Sequence, residues 1–174
     1  MRKWYALTTA LILTIDRLVK AWATVYLKTQ PGYTVPLIRN VFHFTYLENT
    51  GASFGMLEGQ YALFYVLTTV AALVLIWMLF IRPVKSGAMG IALALVLGGT
   101  LGNFYDRVFY RYVVDMFDFR LINFAVFNVA DSALCVGVGL VVLFTIFEER
   151  KALKRAGATA SQPEEKADDT PDNA

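Results

Sequence analysis

The chain has 174 residues, of which 57% are hydrophobic and only 17% are charged, and its net charge at pH 7 is +2. Soluble domains carry about 25% charged residues, so this composition excludes an ordinary soluble domain and indicates an integral membrane protein. The small net charge gives no reason to expect nucleic-acid binding. A single cysteine, Cys135, excludes an intrachain disulfide, and its apolar surroundings indicate a buried hydrophobic residue.

The first predicted membrane span covers about residues 4–27. Asp16, Arg17 and Lys20 interrupt its apolar run. Because Asp16 and Lys20 stand four residues apart, a helix places them on one face, where they can form an ion pair. The sequence therefore predicts a span whose charged face points into a helix bundle.

A secretory signal peptide is the alternative interpretation of this first segment. Arg2 and Lys3 precede the apolar run, and Ala21-Trp22-Ala23 has the small-x-small pattern of a cleavage site. Charges and a tryptophan crowd the region that the peptidase would read, and removal would leave an odd number of spans. We therefore favour an uncleaved span.

Residues 34–38 and 41–46 predict a small β-structure between the first two spans. The second segment alternates polar and apolar residues with aromatic and β-branched types, as a half-buried strand does. His43, the only histidine, has no acidic or cysteine partner at ligand spacing, so we expect no metal and no cofactor. After these strands, residues 48–54 form a turn-rich segment that includes Asn49 and Gly51.

Three further spans are predicted at about residues 61–81, 87–104 and 126–147. The first of these contains no charged residue and is long enough to cross about 30 Å of hydrocarbon. Gly98 and Gly102 have the spacing that lets two membrane helices touch, so we attribute them to helix packing.

Polar residues close the third span. Asn103, Asp106 and Arg107 would put an amide and an ion pair at the end of this helix. An alternative for Arg107 is that its long side chain simply reaches the membrane surface.

Basic residues near the span ends predict the orientation, because cytoplasmic loops carry an excess of lysine and arginine. One side has eight such residues and the other has five. The first set is Arg2, Lys3, Arg82, Lys85, Arg150, Lys151, Lys154 and Arg155, and the second is Lys28, Arg39, Arg107, Arg111 and Arg120. We therefore expect both termini in the cytoplasm and the loops at 28–60 and 105–125 on the outer face.

The expected fold class is a mainly α integral membrane protein with four transmembrane helices and a small extracytoplasmic β-segment between helices 1 and 2. Residues 1–155 would form one membrane-embedded domain. Residues 156–174 are rich in Ala, Pro, Asp and Glu without large apolar side chains, which predicts a disordered cytoplasmic tail.

Two aspartates lie in apolar surroundings near the outer ends of the last two spans. Asp131 would lie about 7 to 8 Å below the start of the fourth span, and Asp115 lies in the connection that leads to it. Intramembrane carboxylates are costly, so they are candidates for function. Asp118 competes with Asp115, but Val113 and Val114 give Asp115 the more apolar setting.

A pair of carboxylates can hydrolyse an amide without a metal. Two such groups within about 3 Å cannot both ionise readily, so one keeps a proton and the other acts as a base toward water. This is the arrangement of an aspartic protease. Ser53, Ser132 and Thr50 are weaker candidates as nucleophiles, because no base is evident beside any of them.

Five blocks of residues occur in an order that resembles the lipoprotein signal peptidase, or signal peptidase II, family over roughly residues 4–150. The blocks are Asp16-x-x-x-Lys20, Asn49-Thr50-Gly51-Ala52-Ser53-Phe54, Gly98-Gly99-x-x-Gly102-Asn103-x-x-Asp106-Arg107, Val113-Val114-Asp115 and Phe127-Asn128-x-Ala130-Asp131-Ser132. The resemblance implies a bacterial inner-membrane aspartic endopeptidase. Such an enzyme removes the signal peptide from prolipoproteins before a cysteine that carries a diacylglyceryl group.

By this resemblance, Asp115 and Asp131 match the two catalytic aspartates of the family. The residues that would line or brace the site are Asp16, Lys20, Asn49, Gly51, Asn103, Arg107, Asn128 and Ala130. The chain departs from the family pattern at Arg17, where glutamine is common, and at Met116, where an aromatic residue is frequent.

The resemblance also implies the partners of the chain. These are diacylglyceryl prolipoproteins, membrane lipid and globomycin-type cyclic peptide inhibitors, with no nucleic acid, and we expect a monomer. Aromatic residues of the outer β-segment, such as Tyr46 and Phe54, would then clamp the lipid-bearing cysteine.

Two other functions are compatible with membrane carboxylates. A transporter or proton-channel subunit would use them as proton relays, but it needs acids at several depths, and here every buried acid lies toward one face. A structural scaffold would use its charges only to form ion pairs. In that case, changing Asp115 or Asp131 to asparagine would leave function intact.

Overall fold

The computed structural model describes residues 1–51, 60–82, 84 and 86–160. Four α-helices and three β-strands make up the described part of the chain. In chain order they are α1 (Arg2–Tyr26), β1 (Thr34–Ile38), β2 (Phe42–Asn49), α2 (Tyr61–Ile76), α3 (Gly87–Tyr110), β3 (Val113–Asp118) and α4 (Val129–Ala160). A wider helical turn, Trp77–Ile81, continues α2. Residues 161–174 and Phe54 lie outside the described residues, so the predicted tail is covered only at its helical start.

Three helices within the described ranges are long and apolar enough to cross a membrane. They are Ala62–Ile81, Gly87–Tyr110 and Val129–Lys154. Helix α1 is not among them, because Asp16, Arg17 and Lys20 lie in its middle. The structure thus supports a mainly helical protein with three membrane-compatible helices.

Helix α1 is polar where it is buried and apolar where it is exposed. The buried residues Tyr5, Thr9, Asp16, Lys20 and Ala23 recur at spacings of three, four and seven, so they form one stripe along the helix. Large apolar side chains occupy the other side and are exposed: Leu7, Leu11, Leu18, Trp22 and Val25. This inversion of the soluble pattern suits a helix that turns its charges inward.

Helix α3 is the centre of the bundle and contacts the other three helices. Glycines allow these close approaches, because a Cβ atom at Gly98 would lie 2.8 Å from Ile12 of α1, and one at Gly99 would lie 2.3 Å from the carbonyl oxygen of Ala130 in α4. At Gly102, the nearest neighbours would be Asp16 and Ala130. The prediction that Gly98 and Gly102 serve helix packing is confirmed.

The three strands form one antiparallel sheet in the order β1, β2, β3. The two predicted strands between α1 and α2 are confirmed, and a third strand that the sequence did not predict, β3, lies between α3 and α4. This strand pairs Asp115 with Leu47 of β2. Nearly all of its residues are buried, so its sequence lacks the alternation that reveals a half-exposed strand.

The sheet packs against the end of α1 through a small apolar core. Its buried members are Ala23, Leu27, Tyr46, Val114 and Met116. Tyr46 is therefore part of the contact between sheet and helix, and its hydroxyl donates to Glu48. The prediction that Tyr46 clamps a lipid group from the surface is wrong, because its ring is buried in this core.

Candidate functional site

A cavity of about 680 Å³ brings the two predicted acids together. It lies among α2, α3, α4 and β3, and both Asp115 and Asp131 line it. Polar residues occupy the end near the sheet, whereas Phe64, Leu67 and Leu134 give the remainder an apolar wall. Two acids that are 16 positions apart in sequence thus face one space, as the sequence predicts.

Asp115 lies on β3 and is almost fully buried, with 1% of its surface exposed. Its two carboxylate oxygens accept hydrogen bonds from amides: Asn49 Nδ2 donates to Oδ2 over 2.9 Å, and Asn128 Nδ2 donates to Oδ1 over 2.6 Å. Burial raises the pKa of the Asp115 carboxyl to about 7, and the charge of Asp131 adds to this rise. Asp115 is therefore a carboxyl group that can hold a proton near neutral pH.

Asp131 sits in the first turn of α4 and forms a reciprocal cap with Asn128. The Asn128 backbone N–H donates to Asp131 Oδ2 over 3.2 Å, and the Asp131 backbone N–H donates to Asn128 Oδ1 over 2.9 Å. Its other oxygen, Oδ1, accepts from Asn103 Nδ2 over 2.6 Å. Both oxygens of Asp131 therefore have hydrogen-bond donors at the start of α4.

Asn128 connects the two acids directly. Its side-chain nitrogen donates to Asp115 and, over 3.1 Å, to Asn103 Oδ1, while its oxygen caps the helix. The sequence predicts a span that begins near residue 126. Because this cap starts α4, the helix begins instead at Val129. The same asparagine thus fixes the start of α4 and the positions of both carboxyl groups.

A buried ion cluster lies behind the pair. Lys20 Nζ is 2.9 Å from Asp16 Oδ2 and 2.9 Å from Asp106 Oδ2, and all three side chains are 0% or 1% exposed. Arg17 pairs with the other oxygen of Asp106 and lies 4.4 Å from the ring centre of Tyr105. The predicted ion pair of Asp16 and Lys20 is confirmed, and Arg17, a departure from the family pattern, forms an ion pair with Asp106.

Contacts of Ala130 with α1 and α3 hold the start of α4 in place. Asp16 Oδ1 accepts a hydrogen bond of 3.0 Å from the backbone N–H of Ala130. Ala130 is fully buried, and its methyl group lies beside Gly102. The first turn of α4, which carries Asp131, is therefore tied to both α1 and α3.

Arg107 connects the turn after β2, at Gly51, to the cavity. Its guanidinium donates to the Gly51 carbonyl oxygen over 3.1 Å and lies 4.6 Å from the ring centre of Phe64. The expected ion pair of Arg107 with Asp106 is wrong, since Asp106 pairs instead with Arg17 and Lys20. Consecutive helix residues point about 100° apart, so these two neighbours face different sides of α3.

The structure divides the remaining predicted residues by location. Asn49, Asn103 and Arg107 line the cavity, and Asn49 Oδ1 also accepts from the Gly51 backbone N–H over 2.9 Å. Asp118, the competitor of Asp115, pairs with Arg120 at 2.8 Å and accepts from Thr45, and it does not line this cavity. Ser132 also lines the cavity, and its hydroxyl donates over 2.9 Å to the carbonyl oxygen of Asn128, four residues earlier in the chain.

Sequence reasoning missed some residues of the site. Phe64 and Phe124 line the cavity, and so does Phe127, for which the sequence predicts no role. Asp106 was predicted to form an ion pair, but its place in the cluster with Lys20 was not. No sequence signal marks Phe64, which comes from a uniformly apolar helix. Within the described ranges, no three His, Cys, Asp or Glu side chains form a group that could hold a metal ion.

Comparisons with known proteins agree with this geometry. A model of the signal peptidase (SPase) II family matches residues 8–147. The lipoprotein signal peptidase of Halalkalibacterium halodurans is 40% identical over 156 residues, which cover 88% of this chain and 99% of the relative. The lipoprotein signal peptidase of Lactobacillus johnsonii is 40% identical over 147 residues, which cover 84% of this chain and 94% of the relative.

Two solved structures, each described as a bacterial membrane enzyme, share the fold. One has a TM-score of 0.73 and 27% identity, covering 94% of this chain and 95% of the other. The second has a TM-score of 0.68 and 29% identity, covering 82% of this chain and 92% of the other. With its family match, its relatives and its fold in agreement, the chain belongs to the signal peptidase II family of bacterial membrane enzymes, which remove signal peptides from lipoproteins.

Proposed function

We propose that the chain cleaves diacylglyceryl-modified prolipoproteins as an aspartic endopeptidase, with Asp115 and Asp131 as its catalytic pair. One observation carries this proposal: both carboxyl groups face one cavity and accept hydrogen bonds from the same residue, since the Asn128 side-chain amide donates to Asp115 and the Asn128 backbone N–H donates to Asp131. Membership in the family makes the chain a lipoprotein signal peptidase. The proposal adds the chemistry of the cut.

The different surroundings of the two acids assign their roles. Asp115 is buried on a strand, and its raised pKa favours the protonated form near neutral pH. Asp131 instead accepts hydrogen bonds on both oxygens, from a backbone N–H and from Asn103, and two carboxyl groups that face one space share a single proton. Asp131 is thus the base, and Asp115 is the acid.

Hydrolysis then needs only one water molecule. Asp131 takes a proton from the water molecule while the water oxygen attacks the scissile carbonyl carbon. Asp115 stabilises the resulting oxyanion with its proton, and a proton passes to the leaving nitrogen as the carbon–nitrogen bond breaks. Atoms and charges balance without a covalent intermediate.

The cavity suits a substrate that is itself embedded in lipid. Its apolar wall of Phe64, Leu67 and Leu134 faces the space beside the two acids. A signal-peptide segment and the diacylglyceryl chains on the cysteine would contact this wall, while the scissile amide reaches the polar end. Globomycin-type cyclic peptides would compete for the same space.

The proposed arrangement in the bilayer has four spans: the three helices that are apolar enough by composition, and α1 in addition to them. Its 25 residues are about 37 Å long at 1.5 Å per residue, which exceeds the hydrocarbon thickness of about 30 Å. Its exposed leucines face lipid, and its charges point toward α3. Both termini would then lie in the cytoplasm, with the sheet and the catalytic pair near the outer face of the inner membrane and the enzyme acting as a monomer.

The test is cleavage of a diacylglyceryl-modified prolipoprotein by the purified full chain and its Asp115→Asn and Asp131→Asn variants. General acid–base groups contribute about 100- to 10,000-fold, so each variant should lose at least about 100-fold in kcat. Asp118→Asn is the matched control on the same strand, and it should keep activity within about threefold, because Asp118 does not line the cavity. Thermal unfolding in detergent checks that every variant is folded. Full activity in folded Asp115→Asn or Asp131→Asn would refute the catalytic pair.

A further inference from the structure

Lys20 is the most deeply buried cation among the described residues, with 1% of its side chain exposed. Its ammonium group has three N–H donors, and three oxygens lie within hydrogen-bond distance. Two belong to Asp16 and Asp106, each at 2.9 Å, and the third is Oδ1 of Asn103 at 3.0 Å. Neutralising two aspartates does not require the third contact, which points instead toward the catalytic pair.

The contact with Lys20 determines which way the Asn103 amide faces. An ammonium group only donates, so the atom of Asn103 that faces it must be the oxygen. The amide nitrogen must then face the opposite side, where Asn103 Nδ2 donates to Asp131 Oδ1 over 2.6 Å. If the amide were reversed, its oxygen would face the carboxylate and the hydrogen bond would be lost.

We propose that Lys20 is a positioning residue for the cut: it fixes the amide of Asn103 so that its N–H group holds the Asp131 carboxylate beside Asp115. This inference rests on the proposed function of the aspartate pair. Lys20 itself does not line the cavity, so it acts through Asn103 and does not touch the substrate. The ordered chain is Lys20 Nζ, Asn103 Oδ1, Asn103 Nδ2 and Asp131 Oδ1.

Asn128 alone does not give the same constraint. It also donates to Asn103 Oδ1, but over 3.1 Å and from a neutral amide that simultaneously serves Asp115. A hydrogen bond from an ammonium group is about twice as strong as one between neutral groups. Removing Lys20 should therefore let the Asn103 amide rotate, even with Asn128 in place.

Arg17 is a natural control for charge. Arg17 and Lys20 both pair with Asp106, but only Lys20 contacts Asn103 among the described contacts of the two side chains. If the cluster serves only to balance buried charge, Arg17→Gln and Lys20→Met should harm the enzyme in the same way. If Lys20 positions Asn103, only Lys20→Met should change the chemistry.

The experiment measures kcat, KM and the pH profile of cleavage for Lys20→Met, Arg17→Gln, Asn103→Ala and the Lys20→Met/Asn103→Ala double variant. Small displacements of catalytic groups can cost about 100-fold, so Lys20→Met should lower kcat about 10- to 100-fold with KM within about threefold. Burial and the charge of Asp131 raise the pKa of Asp115, whereas Lys20 lowers it, so Lys20→Met should also move the basic limb of the profile upward.

The double variant distinguishes an effect through Asn103 from a direct one. With Asn103 already truncated, adding Lys20→Met should lower kcat by less than about threefold, because residues that act through one contact are not additive. If Lys20→Met keeps its full effect without Asn103, or if it matches Arg17→Gln in kcat and pH profile, the inference is wrong.

Loss of folding is covered by a second variant. Lys20→Met/Asp16→Asn removes one positive and one negative charge together, so it keeps the cluster balanced, and it must show the same fall in kcat. Asp115→Asn and Asp131→Asn, run in the same assay, separate the two proposals. If these two are inactive while Lys20→Met is normal, only the role of Lys20 fails; if they are active, the catalytic pair itself fails.

Discussion

Two groups of carboxylates lie within a few helix turns of each other, and different partners hold them. Behind α3, Asp16 and Asp106 are each paired with a lysine or arginine. Facing the cavity, Asp115 and Asp131 accept hydrogen bonds from asparagine amides and a backbone N–H. Cations thus compensate the first pair of acids in the interior, whereas the hydrogen bonds to the second pair come from neutral donors. The difference separates acids that build the bundle from acids that are free to react.

The largest expected effect comes from giving a cavity acid a cation. Asn49→Lys would replace the amide that donates to Asp115 by an ammonium group. This should stabilise ionised Asp115 and remove the proton that the reaction needs, so kcat should fall at least about 100-fold. Thr29→Lys adds the same charge at an exposed site, and it should leave cleavage unchanged. Retained activity in folded Asn49→Lys would show that neutral partners are not required.

The next effect concerns the cation-paired group. Asp106→Asn would leave Lys20 and Arg17 without a shared counter-ion in the interior, and breaking a buried pair costs about 3 to 5 kcal/mol of unfolding free energy. Asp118→Asn is the comparison, because its partner Arg120 is 42% exposed and such pairs contribute about 1 kcal/mol or less. Chemical unfolding in detergent micelles measures both. Equal losses of unfolding free energy in the two variants would contradict the distinction between buried and exposed ion pairs.

The smallest effect is the pH dependence of stability. The folded pKa of Asp115, about 7, lies above its ordinary value of 3.8, so the folded state binds this proton more tightly than the unfolded state. The contribution of Asp115 to stability is therefore present below about pH 4 and is lost as the pH rises toward 7. Asp115→Asn should flatten this part of the profile of unfolding temperature against pH. An unchanged slope would mean that Asp115 is ionised in the folded protein.

Much of the site could be predicted because its signals are local. The apolar setting of Asp115 and Asp131, the glycine spacing in α3 and the alternation in β2 can all be read over a few residues. The Asn128-x-x-Asp131 pattern is likewise a helix-start signature, although the apolar run around it predicts a span that begins near residue 126.

The missed features depend on contacts between distant parts of the chain. Asp106 pairs with Arg17, which is 89 residues away, and the choice over neighbouring Arg107 depends on how α3 is rotated in the bundle. Strand β3 has no alternation because α1 covers one face and the cavity residues cover the other, so its sequence reads as a connection. Local patterns do not contain this tertiary information.

Tolerance to substitution should differ greatly between a glycine of α3, Gly99, and a glycine of α4, Gly139. Any side chain at position 99 would meet a backbone oxygen 2.3 Å away, and a backbone cannot rotate aside as a side chain can. In contrast, a Cβ atom at Gly139 would have no heavy atom within 4 Å. A saturation library should therefore return glycine alone at position 99 and many apolar residues at position 139, so these two glycines, although identical in the sequence, are under opposite mutational constraints.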